Sequence, residues 1–513
     1  MNSVTVSSII DTSKSYQFVN NGEPSARGGM KDVYFSPDRA YVVAIYRDKL
    51  DFNSTERLKK ITTQYFDSFF KREGGAYYEK LYAWPTDVVK WGERIGIIVP
   101  CFRSDFFFKK GYAASDILKG GEKEGKWFAS AKFRTNSRLR LDDSELGDWL
   151  SYFQICVNIA RGVKRLHSAG LAHSDLSYKN VLIDPVSKSA SIIDIDGLVV
   201  PGLFPPDVIG TADFIAPEVI ATKHLGLQDP NRNLPKRTTD LHALAVLIYM
   251  YLLYRHPLRG GRYFGDIDSD QEEDLLMGKE ALFIEHPKDD RNRNFKREYG
   301  DQVNDLEPWT DLKKTPYTLV GPYLSDLFEQ AFIQGLHDPN KRPPAVSWEQ
   351  ALVKTNDLKL KCSNPKCQQK WFIYINTQEV SCPFCQTQYN ESIPILDFYA
   401  QHKPGQWKPT NMRLVIYSDT TLHKWHTSSS MVRNERLTPS DKKRVGYFSW
   451  HNQKWMLVND NLGGLKDVSD SDKSKHKTTK IGEHIELKSG MKLLLSNDDH
   501  GLLAVVSLAN QKQ

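Results

Sequence analysis

The residues with the most chemistry in this chain are Asp175, Asn180 and Asp194. Asp175 and Asn180 lie between a helical pattern that stops at Gly170 and the apolar run Val181-Leu182-Ile183, and Asp194 follows the next such run, Ser191-Ile192-Ile193. A hairpin there brings two carboxylates and one amide together. Phosphoryl transfer needs this set: one carboxylate positions an attacking hydroxyl, and another with the amide oxygen holds Mg²⁺ (or Mn²⁺), which takes hard oxygen ligands. A second group is Cys362-x4-Cys367 with Cys382-x2-Cys385. Four thiolates on two knuckles can close a tetrahedral Zn²⁺ site with no open position, which makes it structural; disulfides or unpaired thiols are the alternatives. Lys361, Lys366 and Lys370 offset part of its charge, and so short a segment draws much of its folding energy from metal.

The elements that must position these residues are legible in outline. Up to about residue 100, β-rich runs alternate with turns, with strands at Val42–Ile45 and Ile95–Val99 and a helix over Ser54–Phe70 for which Ser54 is the N-cap. Leu146, Trp149, Leu150, Phe153, Val157, Ala160, Val163 and Leu166 fall at helical spacing. Leu241–Tyr254 reads as a buried apolar helix, and further helices are expected at about 322–336 and 346–355. Segments 103–145 and 255–320 are charged and poorly periodic and read as insertions. Pro394–Pro409 reads as a linker, and β-like runs from Met412 onward predict an all-β sandwich over 410–511.

His173-Ser174-Asp175-Leu176-Ser177-Tyr178-Lys179-Asn180 followed by Asp194-Ile195-Asp196 resembles the catalytic loop and metal motif of protein kinases. Gly210-Thr211-Ala212-Asp213-Phe214-Ile215-Ala216-Pro217-Glu218 resembles the end of a kinase activation segment, Asp240 the structural Asp of the following helix, and Asp338–Pro343 the late segment whose Arg pairs with that Glu. The resemblance implies an α+β, two-lobed protein-kinase-like fold over 1–355, with an N-lobe at about 15–100 and a C-lobe at about 101–355. It implies Asp175 as catalytic base, Lys179 as a basic residue of the catalytic loop, and Asn180 and Asp194 as metal ligands. Asp196 stands where glycine is usual and reaches the metal through water or is exposed. Glu218 and Arg342 are a predicted ion pair.

The nucleotide side departs from the family pattern. Val43-Ala44-Ile45-Tyr46 lacks the usual phosphate-anchoring lysine, and Arg47 points to the opposite strand face from Tyr46. Ala26–Tyr34 fits a glycine-rich loop with only the middle glycine, Gly28, kept; Lys31 takes the third glycine position, Val33 keeps the valine, and Gly29 is a further loop residue expected at the nucleotide. This is similar to with-no-lysine kinases, in which the lysine reaches the phosphates from the loop strand. Lys31 is therefore the expected phosphate lysine, with Arg47 as the substitute. Ala44 and the hinge Pro100-Cys101-Phe102 are expected around adenine. Glu56 is the first choice for the helix carboxylate that partners the lysine, ahead of Asp67 and Glu79. Ser174 replaces the Arg that normally grips a phosphorylated loop, and Leu198–Ile209 has no Ser, Thr or Tyr. Activity independent of phosphorylation in that loop is expected. Lys179 is placed as in tyrosine kinases, while Gly210-Thr211 favours Ser/Thr.

The cysteine segment, 358–392, resembles a zinc ribbon, and the sandwich weakly resembles a forkhead-associated domain. The architecture resembles bacterial stress-associated kinases, including those encoded beside von Willebrand-type and phosphatase proteins in tellurium-resistance clusters, which implies protein substrates and partners. The expected function is an ATP- and Mg-dependent protein kinase; a pseudokinase scaffold is the alternative, and a small-molecule kinase ranks last. Formal net charge is +6 from 69 basic and 63 acidic residues, too small an excess to argue for nucleic acid. No run is long and apolar enough for a membrane span, and six cysteines, four of them clustered, fit a reducing cytoplasm.

Overall fold

The computed structural model describes residues 2–510 apart from 73, 204–209, 227–228, 263, 266–267, 294–304 and 376–378. They divide into two compact units. One comprises Met1–Gly147, Ser151–Tyr317 and Asp326–Glu349; the other comprises Asp148–Leu150, Thr318–Ser325 and Gln350–Gln513.

The first unit begins with a seven-stranded antiparallel sheet in the order Ser15–Val19, Ser3–Ser8, Asp87–Trp91, Arg94–Pro100, Tyr41–Tyr46, Lys31–Phe35, Ala26–Arg27. Ser3–Ser8 lies inside this order, so the sheet takes in chain ahead of residue 15. One face buries Val6, Phe18, Val43, Ile45, Val89 and Ile98. The other buries Ala44, Tyr46, Val88 and Ile97 against Leu58 of a helix, Phe52–Lys60. That helix starts earlier than expected. Asp51 is its cap, because its carboxylate accepts the Ser54 N–H at 2.7 Å, and Ser54 is buried inside the first turn. A π-helical turn, Ile61–Tyr65, separates it from Phe66–Phe70.

The helical part contains Trp149–Ser168 and the apolar helix Arg237–Leu253, which ends at Tyr254 in the left-handed region. The hairpin Val181–Asp184 with Ser189–Ile192 lies between them in sequence. Segment 103–145 is packed. Phe106, Phe108 and Phe128 are buried, and Lys123 lies 2.9 Å from Glu145 and 2.7 Å from Asp184 in a nearly solvent-free triad. The described part of 255–320 is likewise packed: buried Arg255 meets Glu285 at 2.8 Å and donates to the Trp309 and Thr315 carbonyls.

In the second unit the hairpin Lys359–Lys361 with Trp371–Ile373 carries part of the cysteine cluster. Beyond it are a six-stranded and a four-stranded antiparallel sheet, with Leu396, Phe398, Leu414, Phe448, Leu457, Leu493 and Val506 in a shared core. The expected linker at Pro394–Pro409 is instead the longest hairpin, Ile393–Lys403 with Gln406–Val415. Its prolines read as a linker, but Pro404-Gly405 forms the turn, and Pro409 lies on the sheet-edge strand, where a missing N–H costs no ladder bond. Among the described residues no helix is long and apolar enough to cross a membrane.

Candidate active site

Asp175, Asn180 and Asp194 converge at the end of the hairpin. Asn180 Nδ2 donates to the Asp175 carbonyl and to Asp175 Oδ2, both at 2.8 Å. Asp175 Oδ1 accepts the backbone N–H of Thr211 at 2.7 Å, while the Thr211 hydroxyl donates to Ser177 Oγ at 3.1 Å. Asp175 is thus fixed in orientation, and Asn180 makes both contacts through its amide nitrogen. Asp194 adopts the left-handed region (φ 59°), which turns its carboxylate out of the strand direction. Together with the Asn180 amide oxygen it offers hard-oxygen atoms of the kind that could hold Mg²⁺. Lys179 is exposed, and its backbone N–H donates to Ser177 Oγ at 3.3 Å.

Strand register accounts for the lysine. Lys31 is directly opposite Tyr46 in the antiparallel pair of Lys31–Phe35 and Tyr41–Tyr46. Opposed residues share a sheet face, so Lys31 brings an ammonium to the face where the Tyr46 side chain stands. Its Nζ is 2.5 Å from Asp196 Oδ2 and 2.9 Å from Asp194 Oδ1. The Tyr46 hydroxyl donates to the same Asp196 oxygen. Burial opposes the charge on Lys31, but Asp196 and then Asp194 outweigh it and hold the ammonium above its ordinary pKa. Burial likewise pushes the Asp196 carboxyl up; Lys31, the Tyr46 hydroxyl and Arg57 overcome that and hold it below the usual value. Asp196 is therefore buried rather than exposed.

Arg47 is engaged elsewhere: its guanidinium donates to the Gly28 carbonyl at 3.0 Å and to the Gly29 carbonyl, and lies 3.5 Å from Asp32. It props the Gly28–Lys31 turn, which Gly28 N–H closes onto the Lys31 carbonyl at 2.9 Å. A side chain at Gly29 would meet nothing within 4 Å. Val33 and Ala44 are directly paired in the same sheet, with Ala44 buried. Pro100 ends the strand Arg94–Pro100, Cys101 and Phe102 follow it, and the Cys101 N–H donates to the Ala40 carbonyl at 3.2 Å.

Glu56 does not reach Lys31. It pairs with Lys59 at 2.7 Å, and Asp67 pairs with Lys71 at 2.8 Å. The helix presents Arg57 instead, 2% exposed, whose Nη1 donates to the Asp196 carbonyl and to the Leu198 carbonyl, the latter at 3.0 Å. Sequence reasoning missed Arg57, although a signal existed: Ser54, Arg57, Leu58 and Ile61 lie on one helix stripe, and all four are buried.

Ser174 Oγ donates to the Gly197 carbonyl at 2.9 Å. Ala172 and Val199 exchange backbone hydrogen bonds, and Leu198, Val199 and Val200 are buried. Residues 204–209 of the loop, including Asp207, lie outside the described residues. Beyond it, Arg342 grips Glu218 through Nη1–Oε1 at 2.8 Å and Nη2–Oε2 at 2.7 Å, the predicted pair. Asp240 accepts the His173 N–H at 2.8 Å and lies 3.0 Å from His167 Nε2, a structural role.

In the second unit, the sulfurs of Cys362, Cys367, Cys382 and Cys385 lie within 4.8 Å of one another, with Cys362–Cys385 at 3.5 Å and Cys367–Cys382 at 3.9 Å. A Zn–S tetrahedron with bonds of about 2.3 Å has edges of about 3.8 Å, so four thiolates here fit a metal.

Residues 144–336 match the protein kinase domain family, which supports a protein-kinase-like family for the chain. Over 108 residues the chain is 33% identical to a dual serine/threonine and tyrosine protein kinase of Apis mellifera, covering 21% of this chain and 10% of that protein. Over 96 residues it is 34% identical to proteins of the same description in Gallus gallus and Homo sapiens, covering 19% of this chain and 9% of each relative. The chain thus spans about a tenth of the length of these relatives.

Proposed function

We propose that this chain is an ATP- and Mg²⁺-dependent protein kinase that transfers the γ-phosphoryl group to Ser or Thr hydroxyls of a protein. The observation that carries this reading is the convergence of Asp175, Asn180 and Asp194 with the ammonium of Lys31. Bound Mg²⁺ supplies charge neutralisation on the phosphates. Asn180 and Asp194 are the residues that would hold it, and Lys31 binds phosphate oxygens. Asp175, oriented by Asn180 and Thr211, accepts the proton of the attacking hydroxyl as the new O–P bond forms and the bond to ADP breaks. Pro100 has no N–H and that of Cys101 is engaged, so Phe102 N–H is the hinge donor toward adenine.

The loop after Asp196 works without phosphorylation in this reading, because Ser174 holds a backbone carbonyl there and offers no cation to a phosphate. The cysteine cluster is read as structural Zn²⁺, the sandwich as a forkhead-associated-like module, and the setting as cytoplasmic. Phosphatase or von Willebrand-type proteins are the proposed partners, by the architectural resemblance to bacterial tellurium-resistance kinases. The test is transfer from γ-labelled ATP to the chain itself and to a generic acceptor, with Mg²⁺ or Mn²⁺ and with Asp175→Asn in parallel. Label transfer lost in Asp175→Asn is expected. No transfer by wild type, with Mg·ATP still bound, would favour the pseudokinase reading, for which the Tyr46 position speaks.

A further inference from the structure

The ion pairs around Lys31 are not equivalent. An ammonium has three protons to donate. Two of them point at carboxylates here, Asp196 at 2.5 Å and Asp194 at 2.9 Å. The Asp196 side chain is 7% exposed and that of Asp194 is 46% exposed. Buried charge pairs are screened weakly and hold geometry, whereas an exposed partner is readily exchanged for another ligand.

Asp196 is in turn held on three sides. The Tyr46 hydroxyl donates to the carboxylate oxygen that Lys31 also touches. Arg57 donates to the backbone carbonyls of Asp196 and Leu198, and its positive charge favours the ionised carboxylate. The helix Phe52–Lys60 therefore addresses this site with a cation, and the acid comes from the loop after Asp194.

We propose that Asp196 is the positioning residue that seats the phosphate-binding ammonium of Lys31, and that Arg57 and Tyr46 hold Asp196 in place. This inference rests on the kinase reading. Asp196 stays bound to Lys31 throughout, while Asp194 is released to the cation when Mg·ATP enters and a phosphate oxygen takes its place on the ammonium. The arrangement also couples the helix to the loop: displacing Phe52–Lys60 withdraws Arg57 from both carbonyls and frees Asp196. The charges facing Lys31 are Asp194 and Asp196 from the loop; the Tyr46 hydroxyl and, behind Asp196, Arg57 complete the set.

The test is calorimetric Mg·ATP binding, with steady-state transfer alongside, for wild type, Asp196→Asn, Asp196→Glu, Arg57→Met, Arg57→Lys and Tyr46→Phe, each checked for a cooperative melt. Losing a charge-assisted hydrogen bond predicts roughly tenfold weaker nucleotide binding in Asp196→Asn, with partial recovery in Asp196→Glu. Arg57→Met should weaken binding and Arg57→Lys should restore part of it. Rescue by the conservative variants separates positioning from simple structural damage, because restoring the charge alone should return part of the nucleotide affinity. If Asp196→Asn melts poorly, Tyr46→Phe reports on the same carboxylate and should show a smaller loss. Wild type that binds no Mg·ATP overturns the kinase reading and this inference with it. Wild type that binds, with Asp196→Asn and Arg57→Met equal to it in affinity, overturns this inference alone.

Discussion

Lys31 and Tyr46 stand directly opposite one another on neighbouring antiparallel strands, with the lysine Nζ 5.5 Å from the tyrosine ring centroid. An ammonium can therefore serve this face from either strand. Moving it back tests the point: Lys31→Gly with Tyr46→Lys should recover roughly tenfold of the transfer rate lost in Lys31→Gly alone, since a charge-assisted contact to Asp196 is regained. A double variant no better than the single would show that only the loop strand delivers the charge correctly.

Arg342 is 1% exposed and closes a two-pronged pair on Glu218. Removing the carboxylate leaves a buried guanidinium without its counter-charge, which costs about 3–5 kcal/mol. Glu218→Ala should lower the melting temperature sharply. Glu56→Ala, which removes only a half-exposed helix pair, should shift stability by less than about 0.5 kcal/mol. Thermal melts of the two variants side by side check the contrast.

His256 is buried, accepts the Leu258 N–H at Nδ1 and faces the Asp213 carbonyl from Nε2, the geometry of a neutral ring. Burial lowers its pKa to about 4. Below about pH 6.5 the unfolded chain takes up a proton that the folded chain refuses. Stability is thus full above pH 6.5 and declines as pH falls toward 4, by roughly 2–4 kcal/mol. Asp213, pushed up by burial but held below its usual value by the Arg259 guanidinium, adds a further loss at lower pH. Denaturant melts from pH 7 to 4 should show the decline, and His256→Gln should flatten it.

The four cysteine sulfurs predict one tightly bound zinc per chain, measurable by atomic emission. Chelation or Cys382→Ser should loosen the segment between the hairpin strands Lys359–Lys361 and Trp371–Ile373 and expose the remaining thiols to a thiol reagent. Full thiol reactivity before chelation would contradict the site.

The convergence of Asp175, Asn180 and Asp194 was legible because it is local in sequence: the three flank one hairpin, and the cysteine knuckles lie on two short turns. Glu218 and Arg342 were legible only through resemblance, since they are far apart in the chain. Other features depended on tertiary placement. Glu56 and Arg57 differ by one residue, and a helix stripe decides which is buried; the acid side chain looked like the natural partner and the stripe pointed to the arginine. Asp196 meets Lys31 across 165 residues. The packing of segment 103–145 was not legible, because Phe106, Phe108 and Phe128 bury themselves without helical or strand periodicity. The Pro394–Pro409 strands were hidden by prolines that a turn and a sheet edge accommodate.

Ser174 donates to the Gly197 carbonyl at 2.9 Å, so the loop's entry is tied by backbone chemistry. Phosphatase-treated protein should therefore retain most of its transfer activity, read as initial rate before and after treatment. A large loss that returns on rephosphorylation would place a phosphate-dependent switch in this enzyme.

The most direct measurement is the initial rate of γ-phosphoryl transfer by wild type, Lys31→Ala and Arg47→Ala under identical Mg·ATP. The structure joins Lys31 to Asp194 and Asp196 and commits Arg47 to the Gly28 and Gly29 carbonyls. Transfer should collapse in Lys31→Ala and fall only modestly in Arg47→Ala. Full activity in Lys31→Ala, or collapse in Arg47→Ala alone, would contradict the account.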